Sequence, residues 1–194
     1  ATAAAGAVEK ADLKLGFIKL TDMAPLAIAK EKGFFAEEGL NVTLEPQANW
    51  KVLVDGIGGG QLDGAHMLAG LPIAATLGLS RAPTPVIAPF CLGLNGNAVT
   101  LATPLAAEIE AATGAAIDCN DPRGAAHGLA ALVAARAARG APPLRLGIPH
   151  RFSSHNYILR YWLAYAGIDP ERDVQLVVVP PPLIVDALAI GEVD

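Results

Sequence analysis

The sequence predicts an α/β fold in which helices flank parallel sheets, and three observations predict it. Strand-like and helix-like segments alternate as β-α-β-α-β-α from Leu13 onward, the pattern of a parallel sheet with helices packed on its faces. A stretch with three prolines, Pro83, Pro85 and Pro89, interrupts the alternation, which then resumes to the end of the 194 residues. The composition suits many short elements with frequent turns: 53% hydrophobic, 17% charged, with 15 prolines and 20 glycines. Such a chain is globular rather than disordered and can bury one substantial core or two small ones.

The elements follow in order. Leu13 to Ile18 is a buried strand. Asp22 offers a cap and Pro25 suits a first helical turn, giving a helix over 24–32 that Gly33 ends. Asn41 to Leu44 is a second strand, and Asn49 caps a helix over 50–58 that stops at Gly58-Gly59-Gly60. A short strand at 62–67 and an apolar helix at 70–78 complete this part. Past the proline stretch, a strand begins at Asn97 to Leu101. Alanine-rich helices occupy 104–113 and 124–139, the latter ended by Gly140 and Pro142-Pro143. A strand at 144–148, a helix at 154–166, a strand at 174–179 and a helix at 182–190 follow. Gly191-Glu192-Val193-Asp194 stands where a βα series would start another strand, so the chain reads as the N-terminal part of a longer protein.

Several functions are disfavoured. A net charge of −5 argues against nucleic acid, which needs a basic surface. No apolar run reaches the ~20 residues of a membrane span. Ala1 to Ala7 lacks the charged and apolar regions of a signal peptide; it is either the remainder after one was cleaved or an ordinary disordered tail. Cys91 and Cys119 fit no zinc spacing, and both a disulfide and two buried free thiols remain open. Gly56 to Gly60 lacks the Lys-Ser/Thr of a phosphate loop. His150 and His155 have no acidic or cysteine partner nearby for a metal. Adjacent Ser153-Ser154-His155 cannot adopt nucleophile–base–orienter geometry. Nothing calls for a cofactor, and the chain is expected not to be an enzyme.

What remains is anion chemistry. Ser153-Ser154-His155 opens an aromatic-rich helix, and a helix start gathers free backbone N–H groups and the positive end of the dipole. With a negative overall charge, anion affinity must come from such local donors.

The chain resembles the solute-binding proteins of ABC importers for nitrate, and their bicarbonate-binding relatives. The matching text includes Leu15-Gly16-Phe17-Ile18, Ala29-Lys30-Glu31-Lys32-Gly33-Phe34-Phe35, Gln47-Ala48-Asn49-Trp50-Lys51, Gly60-Gln61-Leu62-Asp63-Gly64-Ala65-His66-Met67-Leu68-Ala69-Gly70, Leu94-Asn95-Gly96-Asn97-Ala98 and the stretch from Ser154 to Pro182. The resemblance implies a type II periplasmic-binding-protein fold of two lobes that close over a ligand, here 13–88 as lobe I and 89–194 as an incomplete lobe II. It also implies a family chain about twice as long, whose remaining half supplies further pocket residues, including a basic one.

Five residues are candidate ligand contacts. Trp50 lies at a strand-to-helix junction, where ligands bind in parallel sheets, and its indole N–H only donates. Asn97 stands where the family places an amide side chain against the ligand, beside an Asn95-Gly96 turn. His155 stands at the family's anion-contacting histidine. Gly70 permits close backbone approach, and His66 either faces the ligand or packs beneath it. Asp22 is expected to cap its helix or hold a neighbour, and Arg160 to pair away from the ligand. The leading function is capture of nitrate, with nitrite as a further ligand, for a membrane permease, in the periplasm. The alternatives are a cytoplasmic nitrate sensor that regulates a partner protein and a bicarbonate-binding relative. An enzyme, as in thiamine-precursor relatives of the fold, is the least supported, since no nucleophile–base pair is visible. The absence of an acidic cluster at the candidate turns favours nitrate, because bicarbonate can donate a proton to a carboxylate.

Overall fold

The computed structural model describes residues 8–79, 82–93 and 96–194. The N-terminal stretch Ala1 to Ala7 and the Asn95 position of the expected Asn-Gly turn lie outside the described residues. By contacts the chain divides into two units, residues 1–95 with 180–182, and residues 96–179 with 183–194.

The first unit is built on β1 (Asp12–Phe17), β2 (Asn41–Pro46) and β3 (Gly64–Ala65), in the order β2-β1-β3 with both pairings parallel. Six residue pairs register β1 with β2, from Asp12 opposite Asn41 to Phe17 opposite Pro46. The helices are α1 (Ala24–Glu31), α2 (Phe34–Glu37), α3 (Trp50–Gly58) and α4 (Gly70–Leu77). Asn49 starts α3 by accepting the Val52 N–H at 2.9 Å, as its position before an apolar run predicts. Gly33 takes φ 81°, so the backbone can reverse between α1 and α2 without a side-chain penalty.

β3 is shorter than the expected 62–67. Leu62 leaves the strand to fill a slot that two glycines open: a Cβ on Gly16 would stand 2.6 Å from Leu62 Cδ1, and one on Gly56 2.9 Å from it. Asp63 then pins the strand to β1. Its N–H bonds to the Lys14 carbonyl at 2.9 Å, and its carboxylate accepts from the Lys14 N–H at 2.9 Å and from Lys10 Nζ at 2.5 Å. These donors hold the carboxyl below its usual range, the Lys10 hydrogen bond first.

The second unit contains α5 (Thr103–Thr113), α6 (Pro122–Ala138), β4 (Leu144–Ile148), α7 (Ser154–Tyr165), β5 (Val174–Val178) and α8 (Ile184–Ala189). A 3-10 turn at Pro181–Leu183 precedes α8, so the single helix expected at 182–190 is two shorter pieces. β4 and β5 pair in parallel. Leu144, Leu146 and Ile148 alternate into a core with Leu105, Ile109, Leu129, Leu132, Leu159 and Leu163. The strand expected at 97–101 is not formed. That segment meets no ladder: the Ala102 N–H goes to the Asp194 carbonyl, while the Asp194 N–H bonds to the Arg145 carbonyl at 2.8 Å along the free edge of β4. All three tyrosines, Tyr157, Tyr161 and Tyr165, fall four residues apart on α7 and are exposed.

Cys91 and Cys119 are both free and exposed, one in each unit, which sets aside a disulfide and burial alike. Among the described residues, no helix is long and apolar enough to cross a membrane.

Helices α5 and α6 meet through Gly128, where an added Cβ would stand 2.7 Å from Ile109 Cγ2 and 2.9 Å from Thr113 Cγ2. Gly128→Val is therefore expected to overpack this contact and destabilise the chain by about 1–3 kcal/mol. A urea midpoint that falls with an unchanged m-value checks it; an unchanged midpoint would refute the close approach.

Candidate functional site

In the first unit, three chain segments leave the C-terminal ends of parallel strands and carry polar groups there. Trp50 is the first residue of α3, four residues past β2, and is 1% exposed. His66 directly follows β3, is 4% exposed, and is held by its N–H to the Gly16 carbonyl at 3.1 Å. The two rings meet edge-to-face, centroids 5.3 Å apart at 71°. The Trp50 indole N–H and both His66 ring nitrogens are buried and have no hydrogen-bond partner among the described residues. A buried polar group left unmatched costs about 1–3 kcal/mol.

Asp22 lies in the turn after β1, with a carboxylate oxygen 3.9 Å from His66 Nε2. It makes no capping bond to α1, which begins without a side-chain cap, so of the two expected roles it takes that of holding a neighbour. Burial pushes the His66 imidazole below its ordinary value, and the Asp22 charge opposes this less strongly. Gly70 is the first residue of α4, whose start has no side-chain cap.

In the second unit, Ser153 caps α7 by accepting the Asn156 N–H at 3.0 Å and donates its hydroxyl to the His150 carbonyl at 2.7 Å. Asn156 donates to the Arg151 carbonyl at 2.6 Å and accepts from Arg160 Nε at 3.0 Å. Arg160 also pairs with Glu171 at 2.5 Å. His150 Nδ1 accepts the Phe152 N–H at 3.1 Å, and burial, then the Arg151 charge, lower its pKa. These bonds fix the loop that sets His155 in the first turn of α7.

His155 and Asn97 line one cavity of about 130 Å³, whose walls are mostly apolar and include Leu101, Leu146, Trp162 and Leu188. Asn97 Nδ2 donates to Ser154 Oγ at 3.2 Å. The structure thus brings Trp50 to His66 and Asn97 to His155; Gly70 stands at the start of α4. Sequence reasoning missed Ser154 as the partner of Asn97. The signal available was the second serine, redundant for capping once Ser153 takes that role. Among the described residues, no group of three or more His, Cys, Asp or Glu side chains could hold a metal ion.

Parallel sheets in two α/β units, with polar groups gathered at strand-to-helix turns, define the fold of the periplasmic solute-binding proteins. The chain belongs to the NMT1-like family, whose model matches residues 6–194. It is 41% identical over 192 residues to the nitrate import ATP-binding protein NrtC of Synechocystis sp., covering 96% of this chain and 26% of that protein. It is 40% identical over 189 residues to the bicarbonate transport ATP-binding protein CmpC of the same organism, covering 96% and 26%. The crystal structure of the periplasmic nitrate-binding protein NrtA from Synechocystis superposes with a TM-score of 0.77 at 31% identity, covering 96% of this chain and 46% of that one. The chain therefore spans about a quarter of the ATP-binding relatives and under half of the solved nitrate-binding protein.

The two shifted histidines set a pH dependence of stability. His66 and His150 are held neutral more strongly in the folded chain than in the unfolded one. As pH falls through about 6.5, the unfolded chain takes up protons that the folded chain still resists. Their contribution is complete above that pH and declines below it until the folded values are reached. The thermal midpoint is expected to drop between about pH 7 and 5, and His66→Gln and His150→Asn should each flatten the slope. A midpoint independent of pH in this window would show that neither imidazole is held neutral.

Proposed function

We propose that this chain is part of the solute-binding component of an ABC importer and captures nitrate, with nitrite as a second ligand, for delivery to a membrane permease. The observation that carries the reading is the set of buried, unmatched polar atoms on Trp50 and His66, which follow the two strands that flank β1. Nitrate offers three acceptor oxygens and no proton, so a site for it must supply donors. An indole N–H can do nothing but donate. We assign the ligand contacts to Trp50, His66 and Gly70 of the first unit and to Asn97 and His155 of the second. The likeness to a periplasmic nitrate-binding structure supports both the ligand and a periplasmic location.

A second reading has its own support. At 41% and 40% identity the chain matches segments of ATP-binding subunits. On that reading it is a cytoplasmic anion-sensing module that regulates a partner. Release of the protein by osmotic shock of intact cells would favour the importer component, and retention with the cytoplasm would favour the sensor.

Nitrate titration followed by tryptophan fluorescence tests the ligand. With Trp162→Phe as background, Trp50 alone emits. A saturable change is expected. Trp50→Phe, followed calorimetrically, should weaken binding by about 10–100-fold, as loss of one hydrogen bond to a charged group of about 1.5–3 kcal/mol implies. No saturable response to nitrate or nitrite would sink the proposal.

A further inference from the structure

We infer that His66, set against Asp22, is a specificity-determining residue that reads whether the bound oxyanion carries a proton: nitrate enters together with a proton taken up by His66, and bicarbonate enters without one. The inference rests on the assignment of Trp50 and His66 as ligand contacts.

The geometry poses a counting problem. The imidazole has two ring nitrogens, both buried and unmatched. A carboxylate oxygen of Asp22 lies 3.9 Å from Nε2. The Trp50 ring lies edge-to-face at 5.3 Å, and its N–H is likewise buried and unmatched. An imidazole between a carboxylate and an anion has acceptors on two sides. In its neutral form it holds one proton and one lone pair, and the lone pair repels whichever acceptor it faces. Imidazolium presents a donor to each and places a positive charge between two negative ones.

Among the described residues, several charges on the elements beside His66 are engaged with other partners. Helix α4, Gly70 to Leu77, carries no ionisable side chain. On α3, Lys51 bonds to Asp55 at 2.6 Å. On β1, Lys14 pairs with Glu45 at 3.4 Å, and Asp12 accepts from Asn41 at 2.7 Å. Asp22 is the charged group that raises the His66 pKa, and burial, which lowers it, is the larger effect. His66 is thus neutral before the anion arrives and gains a proton when it does.

Nitrate has no proton to share, so its capture draws one from solution. Bicarbonate brings an O–H, which can donate to the lone pair of neutral His66 while the imidazole N–H remains directed at Asp22. No proton need then enter. Raising the pH therefore moves preference from nitrate toward bicarbonate at the same residues.

The test is calorimetric titration of the chain with sodium nitrate and with sodium bicarbonate between about pH 7 and 8.5, each in two buffers of different ionisation enthalpy. Nitrate is expected to bind with uptake approaching one proton, its affinity falling by up to about tenfold per pH unit, as linkage requires. Bicarbonate is expected to bind with uptake near zero. His66→Gln should still bind nitrate, more weakly, with uptake abolished and a flat pH profile. Asp22→Asn keeps the imidazole and should reduce uptake at each pH, which covers the case of a His66 variant that fails to fold. Nitrate binding with no proton uptake in the unaltered chain, or uptake that persists in His66→Gln, overturns the inference and leaves the ligand assignment standing. No saturable binding of either anion overturns the assignment itself, and the inference with it.

Discussion

Parallel pairing is the constraint on which the candidate site depends. A parallel strand can only hand the chain to the next element at one end of the sheet, so the turns after β1, β2 and β3 all emerge on the same side. Asp22, Trp50 and His66 sit at those three turns in a sequence span of more than forty residues, and the six-pair register of β1 with β2 brings them together. An antiparallel arrangement of the same strands would send at least one of them to the opposite edge. The small features nearby serve this register: the Gly16–Gly56 slot seats Leu62, and Asp63 ties β3 to β1, so that His66 starts from a fixed backbone position.

The site also illustrates how one side chain can serve two ends. Trp50 is almost fully buried, as is Leu53 on the same helix, and it contributes a large apolar surface to the core. Its N–H is nonetheless left without a partner, and His66 repeats the pattern with two nitrogens. Burial of the rings stabilises the fold, and the same burial raises the free energy of the empty polar atoms. A ligand that matches them recovers that difference on binding. The second unit does the reverse: Ser153, Asn156 and Arg160 form a connected chain of bonds around the loop before α7, leaving little there to be gained except at the cavity edge near Asn97 and His155.

Local chemistry was legible in the sequence, and pairings across the chain were not. The limits of α3 follow from the Asn49 cap and the glycine run after it, and both were readable. The limits of α5, α6 and α7 likewise follow from prolines, glycines and a serine cap. Residues 97–101 read as a strand by composition, yet a strand exists only where a neighbour completes its ladder, and Ala102 bonds instead to Asp194. β3 shrank for a related reason: Leu62 was read as part of a strand, and its place is set by two glycines that are distant or non-adjacent in sequence. At the site, the donors themselves could be picked out one by one. That Asp22 lies against His66, and Ser154 against Asn97, depends on tertiary placement that no local spacing encodes.

The two cysteines have a use that has nothing to do with redox chemistry. Cys91 belongs to the first unit and Cys119 to the second, and both thiols are free and exposed. These 194 residues therefore supply one exposed thiol on each unit. A donor dye and an acceptor dye, or a pair of spin labels, can be attached to the unaltered chain to form a molecular ruler whose length reports any rearrangement of the two units when an anion is added.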